Sequence, residues 1–364
     1  MQLGSDEMEV VREEATAALA AWNVGPGEWQ VTGAVRGSLS GGLRPVVEID
    51  GWRYVLRRES LGLSEDDVSF RHDFMRHLRA EGLPVPEVRV RPSGGTYALV
   101  TGDIYELQEY RAGAAYDASG PEATERIEAA AATLGAVHQA SAVFVAPPHR
   151  WPEERLPVPM AETYVEMVRQ AAERDDVTQA VAAAATRVAE DALERVAAAA
   201  RALDVVPGPP ELHIHGDFQP HNLAFNAAEL AAIYDFDAAR WARRLDELAY
   251  ALLCFSGLRD TGQGQVALLA DDGLDITRAH AFLLAYGQVA PPAEEEAGLL
   301  GDAITLAFPV LVANGIAEDL VFADDFGGAP AEQEILPRLE WADAFWLWLD
   351  RYRDVLAEAW ESAG

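Results

Sequence analysis

The residues of this 364-residue chain with the clearest chemistry lie in two clusters within residues 212–237. The first is a polar run that ends in an amide, His215-Gly216-Asp217-x-x-Pro220-x-Asn222. The second is Asp235-Phe236-Asp237, which follows a β-prone run. Because Mg2+ prefers oxygen ligands and keeps waters and substrate phosphates in its shell, Asn222 and Asp235 are suited to hold it. Asp217 is suited to accept or orient a hydroxyl group that attacks a phosphoryl group.

The two clusters therefore indicate metal-assisted phosphoryl transfer, and the alternative is an ordinary hairpin with polar turn and capping residues. With the short apolar hairpin between them, the clusters resemble the catalytic and metal-binding loops of the aminoglycoside phosphotransferase and choline kinase family, relatives of protein kinases. The resemblance implies an α+β class and a two-lobed protein-kinase-like fold, with an antiparallel β-sheet N-lobe and a mainly helical C-lobe. It also implies ATP as co-substrate and one or two Mg2+ ions, with Asp237 as a further metal candidate.

We expect three parts along the chain. A helix over residues 1–24 packs on a β-rich N-lobe over 25–110, and the C-lobe covers 111–364. The C-lobe range contains the catalytic loop over 212–223 and the metal motif over 235–237.

Three stretches of the expected N-lobe are candidates for nucleotide binding. Ser38 and Ser40 lie in a loop between predicted strands, where kinases cover the phosphates with small residues; a flexible turn is the alternative. Arg57 ends the third strand, where kinases carry a phosphate-binding lysine, and its planar fork suits phosphate oxygens; a solvated strand end is the alternative. In the family the main chain of a hinge recognises adenine, which implies the Glu109 carbonyl and the Arg111 amide.

The partner of Arg57 is an open question in the sequence. In the family, a glutamate on the next helix pairs with the basic residue of the third strand. Its place falls near Arg71, which cannot pair with another arginine. Asp67, Asp73 or no partner at all are the remaining expectations.

Hydrophobic periodicity predicts the elements that position these residues. Helices are predicted over residues 7–22, 68–80, 122–140, 160–174, 178–203, 240–255, 275–286, 291–315 and 330–362. Strands are predicted over residues 29–35, 45–49, 52–57 and 97–100, with Asp50-Gly51 as a hairpin turn.

Several residues are expected to support the catalytic loop or the core. His215 should shape the loop, and the resemblance implies that Asp246 or Glu247 braces it from below. His138 is expected to be a packed or capping histidine.

The last predicted helix carries an aromatic stripe, Trp341, Phe345, Trp348 and Tyr352. We interpret the stripe as core. The alternative is that part of it, together with acids such as Asp324, Asp325 or Asp343, lines a pocket for a cationic acceptor through cation–π contact.

Composition excludes several other functions. The formal charge of −32 opposes binding to a phosphate backbone, so nucleic acid is not an expected partner. No apolar stretch of about eighteen residues and no basic, apolar leader appear, so we expect a cytoplasmic protein without a membrane partner. The single cysteine, Cys254, excludes a disulfide framework. An acidic surface would suit a cationic substrate, but we favour solubility or a salty or GC-rich lineage as the explanation of the charge.

The sequence thus predicts a Mg2+-dependent transfer of the γ-phosphoryl group of ATP to a hydroxyl of a small molecule, cationic ones included. An aminoglycoside-like antibiotic, an amino alcohol, homoserine or a sugar would fit. A protein Ser/Thr kinase and a catalytically weak, nucleotide-binding pseudokinase are the alternatives. The oligomeric state and the acceptor are not predicted.

Overall fold

The computed structural model describes residues 5–36, 43–59, 63–118, 120–175, 177–204, 208–260, 266–268, 273–313 and 332–363. They group into two compact units, which are Met1–Ala115 with His221–Asp237, and Tyr116–Pro220 with Ala238–Gly364. The hairpin over 221–237 therefore groups with the first unit, whereas the expected division placed it in the C-lobe.

The first unit contains a five-stranded antiparallel sheet with the strand order β1-β2-β3-β5-β4. Its strands are β1 (Trp29–Arg36), β2 (Leu43–Ile49), β3 (Trp52–Arg58), β4 (Tyr97–Val100) and β5 (Asp103–Glu109). Asp50 and Gly51 join β2 to β3, and both have left-handed backbone conformations with φ of 54° and 80°. Such a pair matches the right-handed twist of the flanking strands, so the predicted hairpin forms in the predicted place.

Two helices accompany this sheet, α1 (Ser5–Leu19) and α2 (Glu65–Ala80). Helix α2 begins with a capping box, because the Ser64 side chain accepts from the Asp67 amide and the Asp67 side chain accepts from the Ser64 amide. Such reciprocal bonds satisfy amides that a helix start leaves open. The core of the unit joins α1 and its 3-10 extension to the sheet.

A second hairpin of the first unit consists of β7 (Leu223–Asn226) and β8 (Glu229–Ile233). Leu223 pairs with Ile233, and the Tyr234 amide donates to the Asn222 carbonyl at 2.8 Å. Residues 222 and 234 therefore close the open end of this hairpin, and Asp235 follows directly.

The second unit is mainly helical. Its helices are α3 (Ala123–Ser141), α4 (Pro157–Ala171), α5 (Gln179–Leu203), α6 (Arg244–Gly257), α7 (Ile276–Val289), α8 (Leu300–Phe308) and α9 (Glu332–Glu361). Two small antiparallel pairs complete it, β6 (Glu211–Ile214) with β9 (Arg240–Arg243), and β10 (Leu258–Asp260) with β11 (Val266–Leu268). Among the described residues, no helix combines the length and the apolar character needed to cross a membrane.

Two predicted helices begin later than expected. Residues 240–243 form β9 because Arg240 to Arg243 pair with β6, and α6 starts only after them. The helix predicted from residue 291 starts at Leu300, after a 3-10 turn over Ala297–Leu299, and a π-helical turn over Pro309–Ala313 follows α8. Local periodicity does not reveal a strand whose partner lies about 30 residues away.

Candidate active site

The pair of oxygen donors proposed for a metal ion, Asn222 and Asp235, lies at the open end of the β7–β8 hairpin. Asn222 is 3% exposed, and Asp235 has a left-handed backbone with φ of 63°. That conformation is uncommon for residues other than glycine. Buried Phe236 packs edge-on against Phe74 of α2, with ring centroids 6.1 Å apart, and so anchors the motif.

These two residues fit a magnesium ion. Among the residues that the structure describes, no three His, Cys, Asp or Glu side chains form a cluster that could hold a metal. Mg2+ does not require such a cluster, because it is usually bound by one or two carboxylates, waters and substrate phosphates. Asn222 and Asp235 would supply an amide oxygen and a carboxylate to that shell.

Asp237, the further metal candidate, accepts hydrogen bonds from two buried arginines. Both of its carboxylate oxygens accept from Arg57 Nη2, at 2.8 and 2.7 Å, and Oδ1 also accepts from Arg71 Nη1 at 2.5 Å. Burial alone would raise the pKa of Asp237, but the two guanidinium groups outweigh it and lower the pKa. In this structure Asp237 neutralises two buried cations.

The partners of Arg57 are acids from β5 and from the residues after β8. Arg57 is 2% exposed and lies opposite Glu106 in the β3–β5 register, with Nε 3.5 Å from Glu106 Oε1. Its Nη2 also lies 3.4 Å from Asp235 Oδ1. The expectation of an α2 acid or of no partner is therefore wrong, since Asp67 caps α2 and Asp73 pairs with Arg76.

Arg71 occupies the buried face of α2 and joins three carboxylates. It binds both oxygens of Glu59, at 2.8 and 2.7 Å, and it contacts Glu106 and Asp237. Burial and the nearby Glu106 raise the pKa of Glu59 to about 7. Burial would also raise the pKa of Glu106, but Arg71 and His72 outweigh it and lower that pKa.

We call this cluster the buried charge network, and it consists of Arg57, Glu59, Arg71, His72, Glu106 and Asp237. Two arginines face three carboxylates in it, and His72 Nε2 lies 2.5 Å from Glu106 Oε2. Bidentate arginine pairs are the ion pairs best suited to a buried position.

The proposed adenine-binding segment is held by Tyr234. The Arg111 amide donates to the Tyr234 hydroxyl at 3.0 Å, and that hydroxyl donates to the Arg111 carbonyl at 2.7 Å. The Arg111 amide assigned to adenine therefore already has a partner here. Glu109 ends β5, and its side chain binds Arg79 at 3.0 Å and Arg111 at 3.1 Å.

In the second unit, Asp217 is held through its side chain and its main chain. Oδ1 accepts from the Tyr250 hydroxyl at 2.7 Å and from Gln219 Nε2 at 2.8 Å. The Asp217 amide donates to Nδ1 of His215, which is fully buried, at 3.2 Å.

Glu247 is the acid that contacts the catalytic loop from α6. It accepts from the amides of His215, at 3.2 Å, and Gly216, and from His138 Nε2 at 2.9 Å. Burial would raise the pKa of Glu247, but these donors outweigh it and lower the pKa. Asp246 instead pairs with Arg243 at 2.9 Å.

Gly216 is required where the loop approaches the segment before β9. Its φ is 83°, and an added Cβ would overlap the Ala238 carbonyl oxygen and the Arg240 guanidinium. Only glycine adopts this conformation readily without such an overlap.

Other candidates lie in the core or outside the described residues. Ser38, Ser40, Asp324 and Asp325 fall outside them. Trp341, Phe345 and Trp348 are buried, and the Phe345 ring stacks on that of Phe308 at 4.0 Å. These three residues of the stripe are therefore core, whereas Tyr352 is half-buried. Asp343 binds Arg187 at 2.7 Å.

Sequence reasoning did not single out four residues that contact candidate site residues, Glu106, Gln219, Tyr234 and Tyr250, or Glu59, which binds Arg71. A signal existed for Glu106, a charged residue in the otherwise buried strand Asp103–Glu109. Buried charges are rarely found without partners, so Glu106 required a cation opposite it. For Glu59 and Tyr250, the local pattern contains no comparable signal.

The first unit has an antiparallel sheet with the buried Arg57, and in the mainly helical second unit Glu247 binds the loop that carries Asp217. This combination is that of a protein-kinase-like fold. The sequence profile of the APH phosphotransferase enzyme family matches residues 38–296. The chain belongs to this family.

Solved structures share the fold over nearly the whole chain. The microcompartment-associated aminopropanol kinase has 14% identity and a TM-score of 0.64, with 96% of this chain and 98% of that chain covered. Amicoumacin kinase in complex with AMP-PNP, Ca2+ and Ami has 14% identity and a TM-score of 0.61, with 97% and 93% covered. Choline kinase from Cryptosporidium parvum Iowa II has 12% identity and a TM-score of 0.57, with 97% and 98% covered. No curated protein sequence gives a significant match.

Proposed function

We propose that the chain transfers the γ-phosphoryl group of ATP to a hydroxyl group of a small molecule in a Mg2+-dependent reaction. The observation that supports the proposal is the open end of the β7–β8 hairpin, where the Tyr234 amide donates to the Asn222 carbonyl and Asp235 follows directly in the chain. Family membership and the similar structures, which include aminopropanol, amicoumacin and choline kinases, support a small-molecule acceptor. Amino alcohols, aminoglycoside-like antibiotics, homoserine and sugars are the acceptor classes that we propose to test.

Each proposed role follows from the chemistry of the side chain. Asp217 accepts the proton of the acceptor hydroxyl or orients that hydroxyl, with its carboxylate held by Tyr250 and Gln219. Asn222 and Asp235 hold the metal ion, which when bound neutralises charge on the phosphates. Arg57 is proposed to assist phosphate binding, with its position set by Asp237 and Glu106.

The experiment that tests this function measures ATP consumption with purified protein, Mg2+ and a panel of hydroxylated cations, amino acids and sugars. Asp217→Asn should keep ATP binding and lose at least about a hundredfold in turnover. Turnover close to that of the wild type with any accepted substrate would refute the role of Asp217.

The metal assignment has its own test. ATP affinity of Asp235→Ala should lose its dependence on Mg2+, because a ligand of the ion is removed. Asp66→Ala is the matched control, since Asp66 is an exposed acid of α2. An unchanged Mg2+ titration of Asp235→Ala would assign the ion to other residues.

A nucleotide-binding protein with weak catalysis is the second candidate. The observation that favours it is the absence of an α2 glutamate beside Arg57, where Arg71 stands instead. ATP binding without phosphorylation of any panel member would favour this candidate. Phosphorylation of a peptide in preference to the panel would instead favour a protein Ser/Thr kinase.

A further inference from the structure

Two donors converge on one oxygen of the Asp217 carboxylate, which we propose as the catalytic group. Tyr250 and Gln219 both donate to Asp217 Oδ1, at 2.7 and 2.8 Å. Gln219 belongs to the same loop as Asp217, so it moves with the residue that it contacts. Tyr250 belongs to α6, which begins 27 residues after Asp217 at Arg244, and it therefore ties the side chain to a separate element.

The helix that carries Tyr250 is a firm support. Nearly every residue of α6 from Leu245 to Gly257 is buried. Glu247 and Tyr250 are three residues apart, so they lie on the same face of α6. Glu247 holds the main chain of the loop at His215 and Gly216, and Tyr250 holds the Asp217 side chain. A single turn of one helix thus fixes both the backbone and the carboxylate.

The Tyr250 hydroxyl is suited to this task because it remains protonated. Burial, Cys254 and Asp217 together raise its pKa well above the ordinary value. Cys254 is buried one helical turn further along α6. The single hydroxyl proton is directed at Asp217 Oδ1, the partner at 2.7 Å.

We propose that Tyr250 is the positioning residue of Asp217, holding its carboxylate in a fixed orientation through the hydrogen bond to Oδ1. This inference rests on the proposed function, because it assigns a purpose to the orientation of Asp217. Correct orientation of a reacting group can account for a large part of the rate enhancement of an enzyme. Loss of the bond should therefore reduce turnover and leave ATP binding unchanged.

The bond itself can be tested without any acceptor. Tyr250→Phe is made in the wild type and in an Asp217→Ala background, and urea unfolding is measured for all four proteins. Tyr250→Phe should lower the urea midpoint in the wild type and change it little in the Asp217→Ala background. Equal shifts in both backgrounds would overturn the inference.

Tyr105→Phe is the matched control for the loss of a tyrosine hydroxyl. The Tyr105 hydroxyl also donates to a carboxylate, that of Glu14, at 2.8 Å, in the first unit. Its effect on the urea midpoint should be the same in both backgrounds, and its turnover should match that of the wild type.

Kinetics then test the positioning role. With the best acceptor of the panel, or with water as acceptor where none is phosphorylated, Tyr250→Phe should lower kcat about ten- to a hundredfold, the usual value of a hydrogen bond to a charged group. The KM for ATP should stay within about twofold of the wild type, as expected when a lost interaction acts only in the transition state. The double variant Asp217→Asn, Tyr250→Phe should be no slower than Asp217→Asn alone.

The outcomes separate the inference from the proposed function. Normal turnover by Asp217→Asn would refute the function assigned to Asp217. A large loss in Asp217→Asn with normal turnover by Tyr250→Phe would refute the positioning role alone. A loss in Tyr250→Phe that multiplies with that of Asp217→Asn would show that Tyr250 acts independently of Asp217, which also overturns the inference.

Discussion

Replacement of Arg71 by methionine should destabilise the first unit strongly. The side chain is 3% exposed, and it binds Glu59 and Glu106, whose side chains are 2% and 0% exposed. Methionine fills a similar volume but carries no charge, so the carboxylates would lose a buried cation while the packing changes little. Asp237 would lose one of its two arginines.

The size of the effect follows from this burial. Removal of one partner of a buried ion pair costs about 3–5 kcal/mol, because the remaining charge is left uncompensated. Arg71→Met should therefore lower the free energy of unfolding by about 3–5 kcal/mol at pH 8. The cost should shrink toward pH 5, because buried carboxylates without a cation take up protons instead.

The assay is urea unfolding combined with hydrogen exchange. Exchange of the β3 and β5 amides reports on the first unit alone. Arg76→Met is the matched control on α2. Arg76 pairs with Asp73, but these side chains are 69% and 57% exposed. Exposed pairs contribute about 0–1 kcal/mol, so the control should have little effect at either pH.

A cost below about 1 kcal/mol at pH 8, similar to that of an exposed pair, would refute this reasoning. The same conclusion would follow from a cost that does not depend on pH. Either result would mean that the carboxylates of the network are neutral or solvated without Arg71.

Three further predictions concern other parts of the two units. The pKa of Glu59 is raised to about 7, so the stability that its protonated form contributes is present below its ordinary pKa and is lost as the pH rises to about 7. The urea midpoint of Glu59→Gln should therefore rise relative to that of the wild type between pH 5 and pH 8. Glu247→Gln removes the anion that accepts from the loop amides and His138, so urea unfolding should show a loss of about 1.5–3 kcal/mol. Gly216→Ala should impair stability and turnover far more than Gly94→Ala, because both glycines have positive φ but only at Gly216 would a Cβ overlap its neighbours.

Local sequence patterns predict the helices, strands and turns of this fold better than the contacts between residues that are far apart in the sequence. The β2–β3 hairpin and the capped start of α2 follow from short stretches with clear turn and capping residues. The same kind of local reasoning places Asn222 and Asp235 on either side of a short hairpin. These features depend on residues that are close in sequence, so a single sequence contains the information.

The partners of the buried arginines are not local. Arg71 and Asp237 are 166 residues apart, and Arg57 and Asp237 are 180 apart. Arg71 stands on the apolar face of α2 with Val68 and Met75, which could have indicated a buried charge. Its partners could not be chosen among the 60 acidic residues of the chain without the fold. For Glu106, the pairing of β3 with β5 identifies the partner, because the register places Glu106 opposite Arg57.

The network also explains how β3 can carry a buried arginine when α2 offers a cation in place of an acid. Arg57 and Arg71 would repel each other, so both must be neutralised by carboxylates from other elements. Glu106 and Asp237 do this for both arginines at once. Because Asp237 is two residues from Asp235, Arg71 of α2 binds the chain directly beside the carboxylate that we propose as a metal ligand. The arginine of α2 thus joins the helix to β5 and to the residues after β8 through the carboxylates that it shares with Arg57.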